Sequence, residues 1–189
     1  MAAVDIANSA LQKLGATRIA ALTDLNVNAK ACNVCYDRLK KALLRKYDWN
    51  FARAQAEIAE DATAPSWGRA ARYPLPSDFI ALRPDLPEDN LNTKDWQIIG
   101  RYIHTDDTSP IYIHYTKDVT DTNEMDPLFQ ELLAFDMAIQ MCEEITNSKS
   151  LKESLKEDRK IALNEAKKAN AFENESPEPP ADTWLTARA

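Results

Sequence analysis

Six prolines, at positions 65, 74, 76, 84, 87 and 110, fall within one central stretch of the 189-residue chain. Proline fixes φ, has no N–H to donate and breaks a helix interior. No helix can therefore run through residues 64–126. On either side the apolar residues recur with a helical period. The chain is confined to two helical parts that flank a β-rich insert.

In the first helical part, Val4, Ala7, Ala10, Leu11 and Leu14 share one face, and Gly15 stands where a left-handed C-cap belongs. A second helix is predicted from Asn28, as N-cap, to Tyr47. Cys32, Cys35, Leu39, Ala42 and Leu43 form its apolar stripe. Together they predict an αα-hairpin. In the second part, Asp126-Pro127 opens a third helix, with Asp as N-cap and Pro at the first helical position. Leu128, Leu132, Phe135, Ile139, Cys142 and Ile145 mark its inner face, and it ends near Asn147-Ser148. Ser150-x-x-Glu153 reads as the capping box of a fourth helix, with a narrow stripe of Leu151, Leu155, Ala162, Ala166 and Ala169. Pro177, Pro179 and Pro180 predict an extended, mobile tail from Glu173 onward.

Within the insert, Phe79–Leu82, Trp96–His104 and Ile111–Thr116 are rich in β-branched and aromatic residues. The last two are expected to pair as an antiparallel hairpin around Thr105–Pro110. The expected fold is mainly α with a β insert: a four-helix antiparallel bundle interrupted by a small antiparallel hairpin or sheet. Its parts are residues 1–56, an N-terminal helical hairpin; 57–125, the acidic insert; 126–172, a C-terminal helical hairpin; and 173–189, the tail. Trp49, Phe51, Phe79 and Phe129 are the expected aromatic anchors of the core.

Composition excludes several functions. There are only three glycines, Gly15, Gly68 and Gly100, each isolated, so neither common phosphate-cradling loop can be built. The net charge of −7 argues against a general nucleic-acid binder. That charge is unevenly spread. Residues 1–56 carry 9 basic and 4 acidic side chains, whereas residues 57–136 carry 6 and 16. Such asymmetry hints at partners. No apolar run is long enough to span a membrane. Met1–Leu14 lacks the basic start of a signal peptide, and three cysteines suit a reducing compartment.

The chemical groups read as follows. Cys32-x-x-Cys35 is half of a zinc or redox motif, but it falls in an apolar helical stripe, which predicts core thiols. His104 and His114 are expected on adjacent strands, where surface or turn roles account for them as well as a metal does. Asp85, Glu88, Asp89, Asp95, Asp118, Asp121 and Glu124 make the insert acidic. Paired carboxylates would suit a carbohydrate-hydrolysing tail protein, and a solvated acidic surface accounts for them without catalysis. Lys40, Lys41, Arg45 and Lys46 crowd the end of the second helix. They read as a solvated helix end, or as an electrostatic patch toward a neighbouring copy or partner. A cytosolic helical regulator or DNA-binding module is a further alternative. No residue pattern asks for a cofactor or metal.

The order of these features carries a resemblance. Ala7-Asn8-Ser9-Ala10-Leu11-x-x-Leu14-Gly15 leads to Trp49-Asn50-Phe51, then to Tyr73-Pro74-Leu75-Pro76-Ser77-Asp78-Phe79, and after the insert to Asp126-Pro127-Leu128-Phe129. Over nearly its whole length the chain resembles the tail tubular protein A family of tailed bacteriophages, the head-to-tail adaptor (connector) proteins. It is similar, more loosely, to smaller helical adaptors of long-tailed phages. The resemblance implies a virion protein of the neck, present in the host cytoplasm during assembly. It implies a ring, usually of twelve copies, beneath the portal protein, with a tail tube or nozzle protein below. Double-stranded DNA would pass through the channel without sequence-specific binding. In this family the helical bundle packs the ring and a C-terminal extension reaches the portal. Trp184, Leu185 and Arg188 thereby become expected portal anchors. The resemblance carries over no catalytic residue, cofactor or metal.

Overall fold

A computed structural model describes residues 2–83 and 95–173. Those residues form a mixed α+β fold with four helices and two small antiparallel sheets. The helices are α1 (Ala3–Lys13), α2 (Val27–Lys46), α3 (Pro127–Thr146) and α4 (Lys149–Phe172). The strands are β1 (Arg53–Ile58), β2 (Ala71–Pro74), β3 (Phe79–Leu82), β4 (Gln97–Ile99), β5 (Tyr102–Thr105) and β6 (Ile111–Lys117). Among the described residues, no helix is long and apolar enough to cross a membrane.

α3 is the centre of the helical part. It buries Phe129, Leu132, Leu133, Ala134, Met137, Ala138, Met141 and Cys142, which occupy more than one face. A helix apolar on most sides must be surrounded, and α1, α2 and α4 each pack on it. α1 and α2 touch each other little, so they meet through α3 rather than as a close hairpin. α2 runs antiparallel to α3: Cys32 Sγ lies 3.7 Å from Met141 Sδ, while Trp49, past the other end of α2, stacks edge-on to Phe129. α4 folds back along α3 through Lys152–Glu143 at 2.8 Å and the bidentate Arg159–Asp136 pair.

The helix ends follow capping chemistry. Asp126 Oδ1 accepts from the N–H groups of Leu128 and Phe129, and Pro127 stands first in the helix, as expected. Asn147 ends α3 with φ +51, a left-handed conformation that Asn tolerates. Two expected caps are corrected. Asn26, not Asn28, caps α2 by accepting from Ala29 N–H at 2.8 Å; the Asn28 amide donates to the Thr17 carbonyl instead. Ser148, not Ser150, caps α4 by accepting from Leu151 N–H. In both cases a second polar residue lies two positions away, and the cap is the one that precedes the first helical turn.

The expected strand pairing is also corrected. One sheet has the order β1-β6-β3 and the other β2-β5-β4. Residues 96–104 are not one strand paired to 111–116. Gly100, at φ +62, starts a two-residue turn that folds β4 back on β5 with Ile99 opposite Tyr102. Glycine at the first turn position with a following residue of ordinary φ is the type II′ hairpin pattern. β6 leaves this sheet and pairs with β1, Arg53 opposite Thr116 through Ile58 opposite Ile111, and with β3. β1 begins within the segment expected to be helical hairpin. The inner faces of both sheets share a second, smaller core of Ile58, Ala71, Tyr73, Leu75, Ile103, Ile111, Ile113 and Tyr115.

Candidate interaction surfaces

The aromatic anchors divide between the two cores. Trp49, Phe51 and Phe129 form a triad with ring centroids 4.9–6.2 Å apart, and the Trp49 indole N–H donates to the Leu43 carbonyl. Phe79 belongs to the sheet core, stacked on Tyr115 at 5.9 Å. The Tyr115 hydroxyl donates to Asp78, whose backbone carbonyl accepts from Asp118 N–H at 2.7 Å. Burial and the Asp78 carboxylate push the Tyr115 hydroxyl up to about 12.

The basic cluster at the end of α2 is split by the fold. Lys40 is only 3 % exposed and is corrected from surface patch to internal tie. Its ammonium lies 2.8 Å from Asp118 and donates to the Val119 carbonyl at 3.0 Å. Lys41 reaches the other oxygen of Asp118 at 3.3 Å. Arg45 donates to the Ile80 carbonyl at 2.7 Å, and Lys46 lies over the Tyr47 ring. The cluster thus clamps α2 to the sheets, and only the outward ends of Lys41, Arg45 and Lys46 stay on the surface. Nearby, Arg83 donates to the Tyr47 carbonyl and pairs with Asp48, adding a second tie between the layers.

The remaining chemical candidates are dispersed. Cys32, Cys35 and Cys142 are buried free thiols. Burial, and for Cys32 also the neighbouring Cys35, pushes the Cys32 and Cys35 thiols up to about 11, the opposite of an activated thiolate. His104 and His114 are on different sheets, not on paired strands. His114 Nε2 sits 2.6 Å from Gln55 Nε2. The described carboxylates of the insert work locally: Asp121 caps a 3-10 turn, Glu124 pairs with Lys117 at 2.8 Å, and Asp95 meets Arg69. Asp85, Glu88 and Asp89, and the residues expected as portal anchors, Trp184, Leu185 and Arg188, lie outside the described residues.

Among the grooves that open on the sheet part, two exceed 600 Å³. The first, of about 640 Å³, lies over the outer face of the β2-β5-β4 sheet. Trp67, 88 % exposed, stands over it, and Arg72 packs 4.5 Å from the Tyr102 ring in its wall. Its charges are paired: Arg69 with Asp106 at 2.8 Å and Arg72 with Asp61 at 3.0 Å. The Ala70 N–H and then the Arg69 guanidinium hold the Asp106 carboxyl below its usual range.

The second groove, of about 610 Å³, runs between β3 and the β4–β5 turn. Leu75, Phe79, Leu82, Trp96 and Ile98 line it, and Arg45 and Arg101 flank it. Both arginines are bonded to backbone carbonyls, Arg45 to Ile80 and Arg101 to Pro76. Neither has a carboxylate partner among the described residues. Sequence reading missed this groove, because Arg45 and Arg101 are 56 positions apart and meet only after Gly100 turns the chain. Recognition of an apolar, acidic chain is the chemistry such a surface can perform. Comparison of the sequence with protein-family models and with curated proteins gave no match in either case.

Proposed function

We propose that the chain is a structural virion protein, a head-to-tail adaptor that forms a ring between portal and tail and lets double-stranded DNA pass. One observation carries this reading. Of the segments on which the family resemblance rests, Trp49-Asn50-Phe51 and Tyr73–Phe79 lie on the two sides of the junction between the helical and sheet parts, and Asp126–Phe129 packs on the first, while Ala7–Gly15 lies apart, in and just after α1. Trp49 and Phe51 stack on Phe129, the residue after Asp126-Pro127-Leu128. Asp78, from the Leu-Pro-x-Asp segment, holds Tyr115 and Asp118. Asp118 in turn holds Lys40. Motifs that fix how two layers meet suit a protein whose work is to hold partners in register.

In this reading the helices act as an antiparallel bundle that packs the ring. Lys41, Arg45 and Lys46 face a neighbour or partner, and the sheets face the tail or an adjacent copy. A closing heterologous interface needs two unlike surfaces per subunit, which the charge asymmetry supplies. A net-acidic wall would not grip the sliding duplex, since binding strength follows the number of neutralised phosphates. Trp184, Leu185 and Arg188 anchor the portal. The test is reconstitution with the portal protein, read by electron microscopy and native mass. The full chain should form a ring on the portal, and deletion of residues 173–189 should abolish binding with the circular dichroism spectrum unchanged. Undiminished portal binding by the deletion variant overturns the anchor.

A further inference from the structure

The second groove and the C-terminal segment of the chain are complementary in three independent respects. The first is charge. The groove is flanked by Arg45 and Arg101, two guanidiniums on carbonyl oxygens with no carboxylate partner among the described residues. The other arginines of this junction and of the sheets, Arg53, Arg69, Arg72 and Arg83, each have one. Residues 173–183 contain Glu173, Glu175, Glu178 and Asp182 and no cation. Charge-assisted bonds from arginine to carboxylate are stronger than those to a carbonyl.

The second is shape and surface. The groove floor is Leu75, Phe79, Leu82, Trp96 and Ile98. Aromatic-lined grooves bind proline-rich chains, because such chains are already extended and lose little entropy on docking. Pro177, Pro179 and Pro180 punctuate the segment, and Trp184-Leu185 follow as apolar side chains that need cover.

The third is reach. α4 ends at Phe172, and the Glu173 carboxylate accepts from the Asn50 amide at 3.3 Å. Asn170 is bonded to Asp48 and Asn50. The chain therefore leaves the helical part just beyond the last turn of α2, where Arg45 stands. Sixteen residues follow Glu173, which at full extension span at most about 58 Å. A segment tethered that close has an effective concentration on the order of millimolar.

We infer that residues 174–189 dock in the groove between β3 and the β4–β5 turn of their own chain, with carboxylates on Arg45 and Arg101 and Trp184-Leu185 on its apolar floor. The consequence is an autoinhibitory contact. The segment is sequestered in the free subunit and is released only when a partner binds it more tightly than the groove does. This goes beyond the adaptor reading and does not require it.

The test uses the full chain with Ser176→Cys and a nitroxide on the new thiol; the native cysteines are buried. Amide signals of Ile80, Ala81, Ile98, Gly100 and Arg101 should lose most of their intensity and regain it when the nitroxide is reduced. Adding Glu175→Gln, Glu178→Gln and Asp182→Asn should restore most of it, as should Arg45→Gln with Arg101→Gln. No broadening at these amides overturns the inference, and so does broadening unchanged by the carboxylate substitutions. Spin-labelled chain mixed with isotope-labelled, unmodified chain separates the sources. Broadening that persists in that mixture assigns the segment to a second copy and overturns the intramolecular contact. None of these readouts involves a portal, so failure of the adaptor reading leaves them unaffected.

Discussion

Cys32 and Cys35 stand one helical turn apart on the face of α2 that meets α3, next to Met141. Their thiols are pushed from an ordinary 9.0 up to about 11, chiefly by burial. The native state therefore keeps two protons that the unfolded chain gives up first. Below pH 9 the stabilisation is fully present; it is lost as pH rises through 11. We expect the free energy of urea unfolding to fall between pH 9 and 11, by at most about 5 kcal/mol for two thiols each raised from 9.0 to about 11. Tyr36 and Tyr115, raised from 10.0 to about 12 chiefly by burial, add to the fall from pH 10 upward. Cys32→Ala with Cys35→Ala should flatten the profile between pH 9 and 10. A wild-type profile already flat there would show that the thiols are solvated. Their role was legible in the sequence, because Cys32, Cys35, Leu39 and Leu43 recur at helical spacing. The role of Lys40 was not, although it belongs to the same helix. A cation among other cations reads as solvated, and only the arrival of Asp118 from a segment 78 positions away reveals it as buried.

At the scale of elements, α2 is the piece that joins the layers, and the Lys40–Asp118 pair is the joint. Lys40 is nearly inaccessible, and Asp118 is also reached by Lys41 at 3.3 Å. Removing one partner of a buried pair leaves the other charge uncompensated, which costs more than the pair contributes. Asp118→Asn leaves the ammonium with the Val119 carbonyl and, at 3.6 Å, the exposed Asp37 carboxylate, and should cost about 3 kcal/mol. Lys40→Met leaves Asp118 its exposed contact with Lys41 and should cost less, about 2 kcal/mol. The double variant should be clearly less destabilised than the sum, as urea unfolding of the four proteins at pH 7 measures. Strict additivity would mean that the two groups do not interact. The strands show where local reading stops. Residues 96–104 look like one strand by propensity, and the isolated Gly100 is the local sign that they are two. The pairing of β6 with β1 carries no local sign at all. It joins residues 53–58 to 111–117, and what fixes it is the demand that Ile58, Ile111 and Ile113 share one core. The helix ends were legible to within two residues because caps are local chemistry; the partners of the strands were not, because pairing is settled by burial.

At the scale of the whole molecule, the described residues form two cores of unequal size. The helical core gathers 26 buried side chains, from Ile6 to Ala166, and the sheet core gathers 8. Hydrophobic stabilisation scales with buried apolar surface, so the sheet part cannot hold its strands as firmly as α3 is held. Local openings follow such differences, each cooperative unit exchanging at its own free energy. What keeps the smaller core in place is the junction: Lys40 and Lys41 on Asp118, Arg45 on Ile80, and Arg83 on Tyr47 and Asp48. Native-state hydrogen exchange should therefore show two tiers. Amides of α3 should exchange only by global unfolding, and amides of β2, β4 and β5 at a lower free energy that falls further in Lys40→Met. Equal protection of β5 and α3, unmoved by that substitution, would make the protein a single cooperative unit. In the adaptor reading proposed above, a chain that meets one partner with its helices and another with its sheets transmits position only as rigidly as this junction allows, so on that reading loosening the junction should loosen register between the partners while each separate contact persists.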